Sequence, residues 1–358
     1  MTIEEKIALI KQVGEEVIKE EELYDLFQKE KNCIAYDGFE PSGQMHIAQG
    51  ILRTININKL IKTGITFKML IADWHAWANN KMGGDLEKIQ TVGRYFIEVW
   101  KACGMDMQKV QFVWASELVK SDSYWKLVLQ IAKTNSIRRF IRTAEIMGRA
   151  ESFDLSAAQI IYPCMQTADI FTLGAHITEL GMDQRKVNML AREIGSLLGY
   201  WKPIVISHHM LTGLTKPTSH TTDKITRTIE LKMSKSKPDT ALFMTDSFDD
   251  LKRKIDKAWC PEGIVKENPI LEYCRYILFE KFDALPIERP AKYGGKLIVK
   301  SADELENLYR TQSIHPQDLK HTVIVLLDKL LQPVRRHFIE NKEAHTLLET
   351  VKIYQTTR

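Results

Sequence analysis

Four short apolar runs, Cys33–Tyr36, Phe67–Ala72, Val110–Trp114 and Ile204–Ser207, are strand-like, and stretches of helical period separate them. Strands spaced this way pair side by side only through long crossover connections, so the chain is expected to build a doubly wound parallel sheet with helices on its faces. The spacing of Leu86, Ile89, Gly93, Phe96, Trp100 and Cys103 predicts one such helix, its aromatic residues in the core. Residues 3 to 30 read as one or two polar amphipathic helices, with Ile3, Ile7, Ile10, Val13 and Val17 in a single apolar stripe. Between Ser121 and Gln184 the strand signal nearly vanishes, which predicts a helical insertion at about residues 121–165, suited to subunit contact or ligand capture. Beyond Asp246 the pattern is again helical, apart from an irregular Pro- and Gly-punctuated stretch at Leu285–Val299. The last pattern, Val323, Val325, Leu326, Leu330, Val334 and Phe338, predicts an inward-facing helix of a small bundle. An α/β domain at residues 1–246 and a mainly α-helical domain at 247–358 are therefore expected.

Composition bounds the function. A chain of 358 residues is long enough for about two domains, and 44% hydrophobic with 27% charged residues is globular, which argues against disorder and fibrous repeats. No apolar run approaches the roughly 20 residues of a membrane span. The amphipathic, acidic start is neither a secretory signal nor an Arg-rich transit peptide, so a cytoplasmic protein is the expectation. Five cysteines (Cys33, Cys103, Cys164, Cys260, Cys274) without a CxxC pair predict neither a disulfide framework nor a protein-bound zinc site. Fifty basic against 46 acidic side chains, a formal +4, permit a nucleic-acid partner without demanding one.

Three clusters could carry chemistry. The first runs from Tyr36 through Gly38, Glu40, Pro41, Ser42 and Gly43 to His46-Ile-Ala-Gln49. It follows the first of the four apolar runs and precedes a helical pattern, at the carboxyl edge where a parallel sheet presents ligands. A helix N-terminus there offers unpaired N–H groups and positive dipole to phosphate, and His46 adds a donor. An ordinary strand-to-helix turn with a surface histidine fits the same letters. The second cluster, Lys232-Met233-Ser234-Lys235-Ser236, lies about 190 residues downstream, room for a whole βαβ unit between them. It suits a loop facing a polyanion, or a solvated charge run.

In the third cluster, Tyr162, Gln166 and Asp169 are spaced four and three apart, hence on one helical face. Gly181-Met-Asp183-Gln184-Arg185-Lys186 follows the short strand-like segment His176-Ile-Thr and opens another helix. Tyr36, Tyr162, Gln166, Asp169 and Gln184 would be anomalous as plain core, because buried amides and carboxylates need partners. A surface face with Asp169 capping or pairing is the alternative.

The chain resembles class I aminoacyl-tRNA synthetases over about Cys33 to Phe338. His46-Ile-Ala-Gln49 is similar to that class's HIGH motif, departing at Ala48 and Gln49, and Lys232–Ser236 matches KMSKS letter for letter. The third cluster resembles the amino-acid pocket of the archaeal and eukaryotic tyrosyl-tRNA synthetases. The resemblance implies a Rossmann-like catalytic domain with a helical insertion, followed by an anticodon-binding helical domain. It implies that Tyr36 and Asp169 bind the substrate phenol and that Tyr162, Gln166 and Gln184 hold its α-amino group. ATP, with magnesium, would lie against Gly38, Pro41, Ser42, Gly43, His46, Gln49, Asp183, Lys232, Met233, Ser234, Lys235 and Ser236. His46, Lys232 and Lys235 would stabilise the departing pyrophosphate, and Asp183 would accept from the ribose.

For tRNA(Tyr), Arg142, Arg185 and Lys186 would meet the acceptor end, and Tyr293, His315 and Asp318 the anticodon. Arg138, Arg139 and Arg149, near Glu145, extend the basic stripe, or form a solvated face. A packed turn at Tyr293 and a helix cap at Asp318 are the plain alternatives there. A homodimer is likewise implied. The rivals are a tryptophan-specific enzyme and a non-activating RNA-binding paralogue.

Overall fold

The structure is a computed structural model and describes residues 1–143, 147, 155–217, 221–233 and 238–354. Six strands form the central sheet: β1 (Gly14–Ile18), β2 (Ile34–Phe39), β3 (Thr66–Ile71), β4 (Val110–Trp114), β5 (Ile177–Gly181) and β6 (Ile204–His208). Their order is β1-β6-β5-β2-β3-β4. All pairings are parallel except that of β1 with β6. The chain winds outward from β2 to β4, then returns to place β5 on the other side of β2. The crevice at the carboxyl ends of β2 and β5 is thus the switch point of the sheet, where such folds bind ligands.

The expected parallel sheet is present, with two corrections. Residues 3 to 30 are not helical throughout: helices Ile3–Val13 and Glu20–Lys29 flank β1, which takes Val17 out of the helical stripe. The sequence Gly-Glu-Glu-Val-Ile has weak strand character of its own. It becomes a strand because β6 offers a free edge, and the pairing slips between Gly14 and Glu16. The second correction is β5, fully buried, in a stretch read as nearly free of strands, where only His176-Ile-Thr stood out as strand-like.

Each face of the sheet is covered. Tyr36, Leu70 and Leu180 pack under helices Asp122–Thr134, Ala157–Thr172 and Arg185–Leu198. Ala35, Met69, Ile177 and Ile206 pack with helices Ile3–Val13, Arg53–Lys62 and Leu86–Ala102. The last of these lies close to the sheet because residue 93 is glycine: a Cβ there would stand 2.7 Å from Trp114 and 2.8 Å from Ile71.

After Asp246 come helices Phe248–Lys257, Ala302–Arg310, Pro316–Glu340 and Lys342–Ile353, with shorter turns between. The stretch expected to be irregular closes on itself as an antiparallel hairpin of β7 (Leu285–Ile287) and β8 (Leu297–Val299). Val325, expected to face inward, is 39% exposed on the long helix.

These helices fold back onto the α/β part, and one hydrophobic core runs through both. The rings of Tyr95 and Phe338 meet at 5.5 Å, and His337 Nε2 lies 2.6 Å from Glu98 Oε2. A second seam lies beyond β6, where the His209 ring stacks on Tyr276 at 4.1 Å. Its nitrogens stand 3.1 Å from Glu15 and 3.3 Å from Glu272. Burial opposes a charge on His209, but hydrogen bonding and the charges of the two carboxylates outweigh it and raise its pKa to about 9.

Candidate functional site

Backbone ties the first cluster to the segment that lies beyond the second. Ile47 N donates to Leu242 O at 2.8 Å, Met244 N donates to Met45 O at 2.9 Å, and His46 forms a bridge with Phe243. Residues 242–244 come just after the turn Pro238–Thr240, so His46 sits beside the chain that continues from the Lys232–Ser236 segment. Gly50 makes this possible, since a Cβ there would fall 2.5 Å from Met244 Sδ. The turn before it needs Gly43, whose φ is +102°. Gln49 anchors the helix start through its carbonyl, which accepts from Trp100 Nε1 at 2.8 Å, while its side-chain oxygen is buried without a hydrogen-bond partner.

Beside this edge lies a buried polar pocket. The helix Ala157–Thr172 presents Tyr162, Gln166 and Asp169 to β2, where Tyr36 points from the same face of the sheet. A Cβ on Gly38 would meet the Tyr36 ring at 3.5 Å, so Gly38 borders this pocket from the strand. Asp169 is fully buried: Tyr124 Oη donates to its Oδ1 at 2.8 Å, and His75 Nε2 stands 2.9 Å from its Oδ2, an ion-pair distance without the alignment of a hydrogen bond.

Burial disfavours a charge on His75, yet Asp169, with Glu40 and Asp73 behind it, outweighs that and raises its pKa. Burial pushes the Tyr36 phenol well above its ordinary value, the charges of Asp169 and Asp37 add to this, and a hydrogen bond from Gln166 works against it. Tyr36 therefore stays protonated, able to donate to and accept from one oxygen.

At the other end of the pocket, Tyr162 Oη donates to Glu40 Oε1 at 2.7 Å, and Asn79 Nδ2 donates to both Glu40 oxygens at 3.1 and 3.2 Å. Gln166 Nε2 donates to Gln184 Oε1 at 3.2 Å, which leaves Gln166 Oε1 buried without a hydrogen-bond partner. A carboxylate, a phenol and a spare amide oxygen form a set of acceptors suited to an ammonium group. The closed end, with Asp169 and Tyr36, suits a hydroxyl.

The sequence reading brought out five residues of this pocket and left Glu40 without a role. It missed His75, Tyr124 and Asn79. Of these, only His75 carried a signal: it lies in helix Asp73–Ala78, which starts just past the end of β3 at the ligand-bearing edge.

Past β5, Asp183 sits in the turn Met182–Gln184, and Lys232 Nζ is bound to its Oδ2 at 2.7 Å. Lys232 bridges Thr212, and Met233 is buried. Ser234, Lys235 and Ser236 lie outside the described residues, as do Glu145 and Arg149. Beneath this edge, Arg53 is buried between Asp37, at 2.5 Å, and Glu179. Burial opposes ionisation of Glu179, but the charge and hydrogen bonds of Arg53 outweigh it and hold its pKa low. Among the described residues no group of three His, Cys, Asp or Glu side chains could hold a metal ion.

The residues read as RNA-facing fall in two places. Arg138 and Arg142 are exposed on helix Ile137–Thr143, and Arg139 pairs with Glu193 at 2.5 Å. Lys186 Nζ donates to Arg142 O at 3.4 Å, whereas Arg185 is tied to Glu16 of β1 at 2.8 Å.

Far along the chain, Tyr293 ends the turn Ala291–Tyr293 and is 62% exposed. His315 caps the helix Pro316–Glu340 by accepting from Gln317 N at 3.2 Å, and Asp318 lies in its first turn. Arg289 joins these two elements, donating to Gly295 O and Ser313 O at 3.0 Å each. The helix cap, which the plain alternative put at Asp318, is made by His315.

Comparisons with known proteins agree with this geometry. Residues 28–332 match the family described as tRNA synthetases class I (W and Y). Tyrosine–tRNA ligase 1, cytoplasmic, of Arabidopsis thaliana is 49% identical over 99% of this chain and 90% of its own length. The Pyrococcus horikoshii tyrosyl-tRNA synthetase complexed with L-tyrosine is 37% identical, covering 98% of this chain and all of the other, with a TM-score of 0.91. The Leishmania major tyrosyl-tRNA synthetase in complex with tyrosinol is 44% identical with a TM-score of 0.89; it covers all of this chain, which spans 61% of the Leishmania chain. With the sheet, the paired signature segments and a pocket closed by Tyr36 and Asp169, the chain belongs to the tyrosyl-tRNA synthetases of archaeal and eukaryotic type, class I enzymes that activate tyrosine with ATP and load it onto tRNA(Tyr).

Proposed function

We propose that the residues assembled at the sheet edge carry this reaction as follows. The substrate phenol lies between Tyr36 and Asp169, and its ammonium group lies against Tyr162, Gln166 and Gln184, with Glu40 supplying the negative charge. A carboxylate oxygen of tyrosine attacks the α-phosphorus of ATP, and the bond to pyrophosphate breaks. A ribose hydroxyl of the terminal tRNA adenosine then attacks the activated carbonyl, and AMP leaves. Catalysis rests on alignment and on positive charge where the pyrophosphate departs, the work of His46, Lys232 and Lys235. Pro41, Ser42, Gly43 and Gln49 line the phosphates, Asp183 takes the ribose, and Ser234 and Ser236 belong to the covering loop. Magnesium would arrive on the triphosphate and neutralise part of its charge. Lys232 must leave Asp183 before the ribose can take its place.

The observation that carries this reading is Asp169, a fully buried carboxylate at the closed end of a pocket that opens onto the switch point. Tyrosine-dependent pyrophosphate exchange tests it; exchange with tryptophan alone would sink it.

We place a domain boundary near Asp246, with residues 247–358 reading the anticodon through Tyr293, His315 and Asp318, and Arg142, Arg185 and Lys186 at the acceptor end. From Asp246 onward there are 19 basic and 18 acidic residues, so local contacts rather than bulk charge must grip the RNA. A homodimer through the helical insertion is supported by Leu129 and Ile137, which are 61% and 65% exposed there. Sedimentation of the purified chain checks it. No described helix is long and apolar enough to cross a membrane, and we take the cytoplasm as the site of action.

A further inference from the structure

His208 ends β6, beside Gly181 of β5, and takes no part in the scheme above. Arg53 Nη1 lies 2.9 Å from His208 Nδ1 and 2.8 Å from Glu179 Oε1, while its other terminal nitrogen serves Asp37 and Glu179. A guanidinium only donates. Glu179 Oε1 also stands 3.1 Å from Nδ1, but only the Arg53 contact has the alignment of a hydrogen bond, so Nδ1 accepts from Arg53 and the proton of the neutral ring sits on Nε2. Burial and then the Arg53 charge push the pKa of His208 below the ordinary value, against Glu179 and Asp183, which favours that neutral form.

The Nε2–H faces the space over Gly181. A methyl group built on that glycine would lie 3.5 Å from His208 Nε2, 3.2 Å from Met210 Sδ and only 2.6 Å from Asp183 Oδ1. Glycine thus keeps open a notch at the carboxyl edge with an N–H donor on one side and a carboxylate acceptor on the other. Two adjacent hydroxyls match such a pair, since each can donate and accept.

We infer that His208, fixed as its Nε2–H tautomer by Arg53, donates to a ribose hydroxyl of ATP beside Asp183. This rests on the nucleotide placement proposed above. His208→Asn tests it, because the shorter amide keeps an acceptor for Arg53 but does not reach the notch; His208→Gln reaches it. Pyrophosphate exchange is measured on the full chain with ATP, 2′-deoxy-ATP and 3′-deoxy-ATP.

His208→Asn should raise KM for ATP about three- to tenfold, the worth of one hydrogen bond, and leave KM for tyrosine unchanged. It should also lose the wild type's discrimination against one of the deoxynucleotides, and His208→Gln should restore it. Equal weakening of all three nucleotides, or a parallel rise in KM for tyrosine, would overturn the inference. So would a wild type that treats the three alike. Asp183→Asn with an unchanged KM for ATP would instead sink the nucleotide placement itself.

Discussion

The pocket proposed for tyrosine and the tip around Tyr293 solve opposite problems. In the pocket the recognition groups are buried or half-buried and lean on one another: Asp169 on Tyr124 and His75, Glu40 on Tyr162 and Asn79. At the tip, Tyr293 stands in solvent and its turn is held through backbone oxygens by Arg289. Binding a small polar molecule selectively requires desolvated, pre-paired groups, and these become part of what holds the fold together. Stacking on an unpaired base requires only an exposed ring on a firm base. Pocket substitutions should therefore damage stability and activity together, and tip substitutions activity alone.

The hardest test is Asp169→Ala. It leaves the buried Tyr124 hydroxyl only its 3.3 Å contact to Met165 O and His75 without its counterion, so chemical unfolding should show a loss of about 3–5 kcal/mol, with tyrosine activation abolished. An unchanged stability would break the comparison. Next, Glu40→Gln keeps the hydrogen-bond geometry and removes the charge. KM for tyrosine should rise by a factor corresponding to about 1.5–3 kcal/mol, with KM for ATP little altered, as read by pyrophosphate exchange.

The seam at His209 sharpens the contrast from a third place. Its folded pKa of about 9 lies above the free value of 6.5, so its stabilisation is complete below about pH 6.5 and is lost as pH rises through 9. Melting curves across that window should show the wild type losing on the order of 2 kcal/mol more than His209→Gln. The smallest effect on stability belongs to the tip. Tyr293→Ala and Asp318→Ala should stay within about 0.5 kcal/mol of the wild type, spare pyrophosphate exchange, and lower tRNA charging about tenfold. Equal loss in both reactions would remove the tip from anticodon reading.

The sequence made the buried strands legible because both their faces are apolar, and the run then stands out against polar helices. It hid β1, whose pairing is supplied by the edge of β6 rather than by its own composition. In the site, Gln166 and Asp169 were visible because amide and carboxylate groups among apolar neighbours call for partners. Tyr124 was not, because an aromatic residue at helical spacing with Leu127, Val128 and Ile131 is equally good core. The tie between Met45–Ile47 and Leu242–Met244 was beyond any local pattern, since it joins segments with almost the whole α/β part between them.

That tie also bears on how the molecule comes to exist. The notch left by Gly50 stays empty until Met244 arrives, after β3, β4, β5 and β6 have been added to the sheet. Closing so long a loop is slow compared with forming neighbouring βαβ units. The helix after His46 can coil early, but its first turn gains its packing partner late. The end of the site at which we place the phosphates is thus assembled last, and on that placement a ribosome must have released most of the α/β part before the chain can hold a nucleotide.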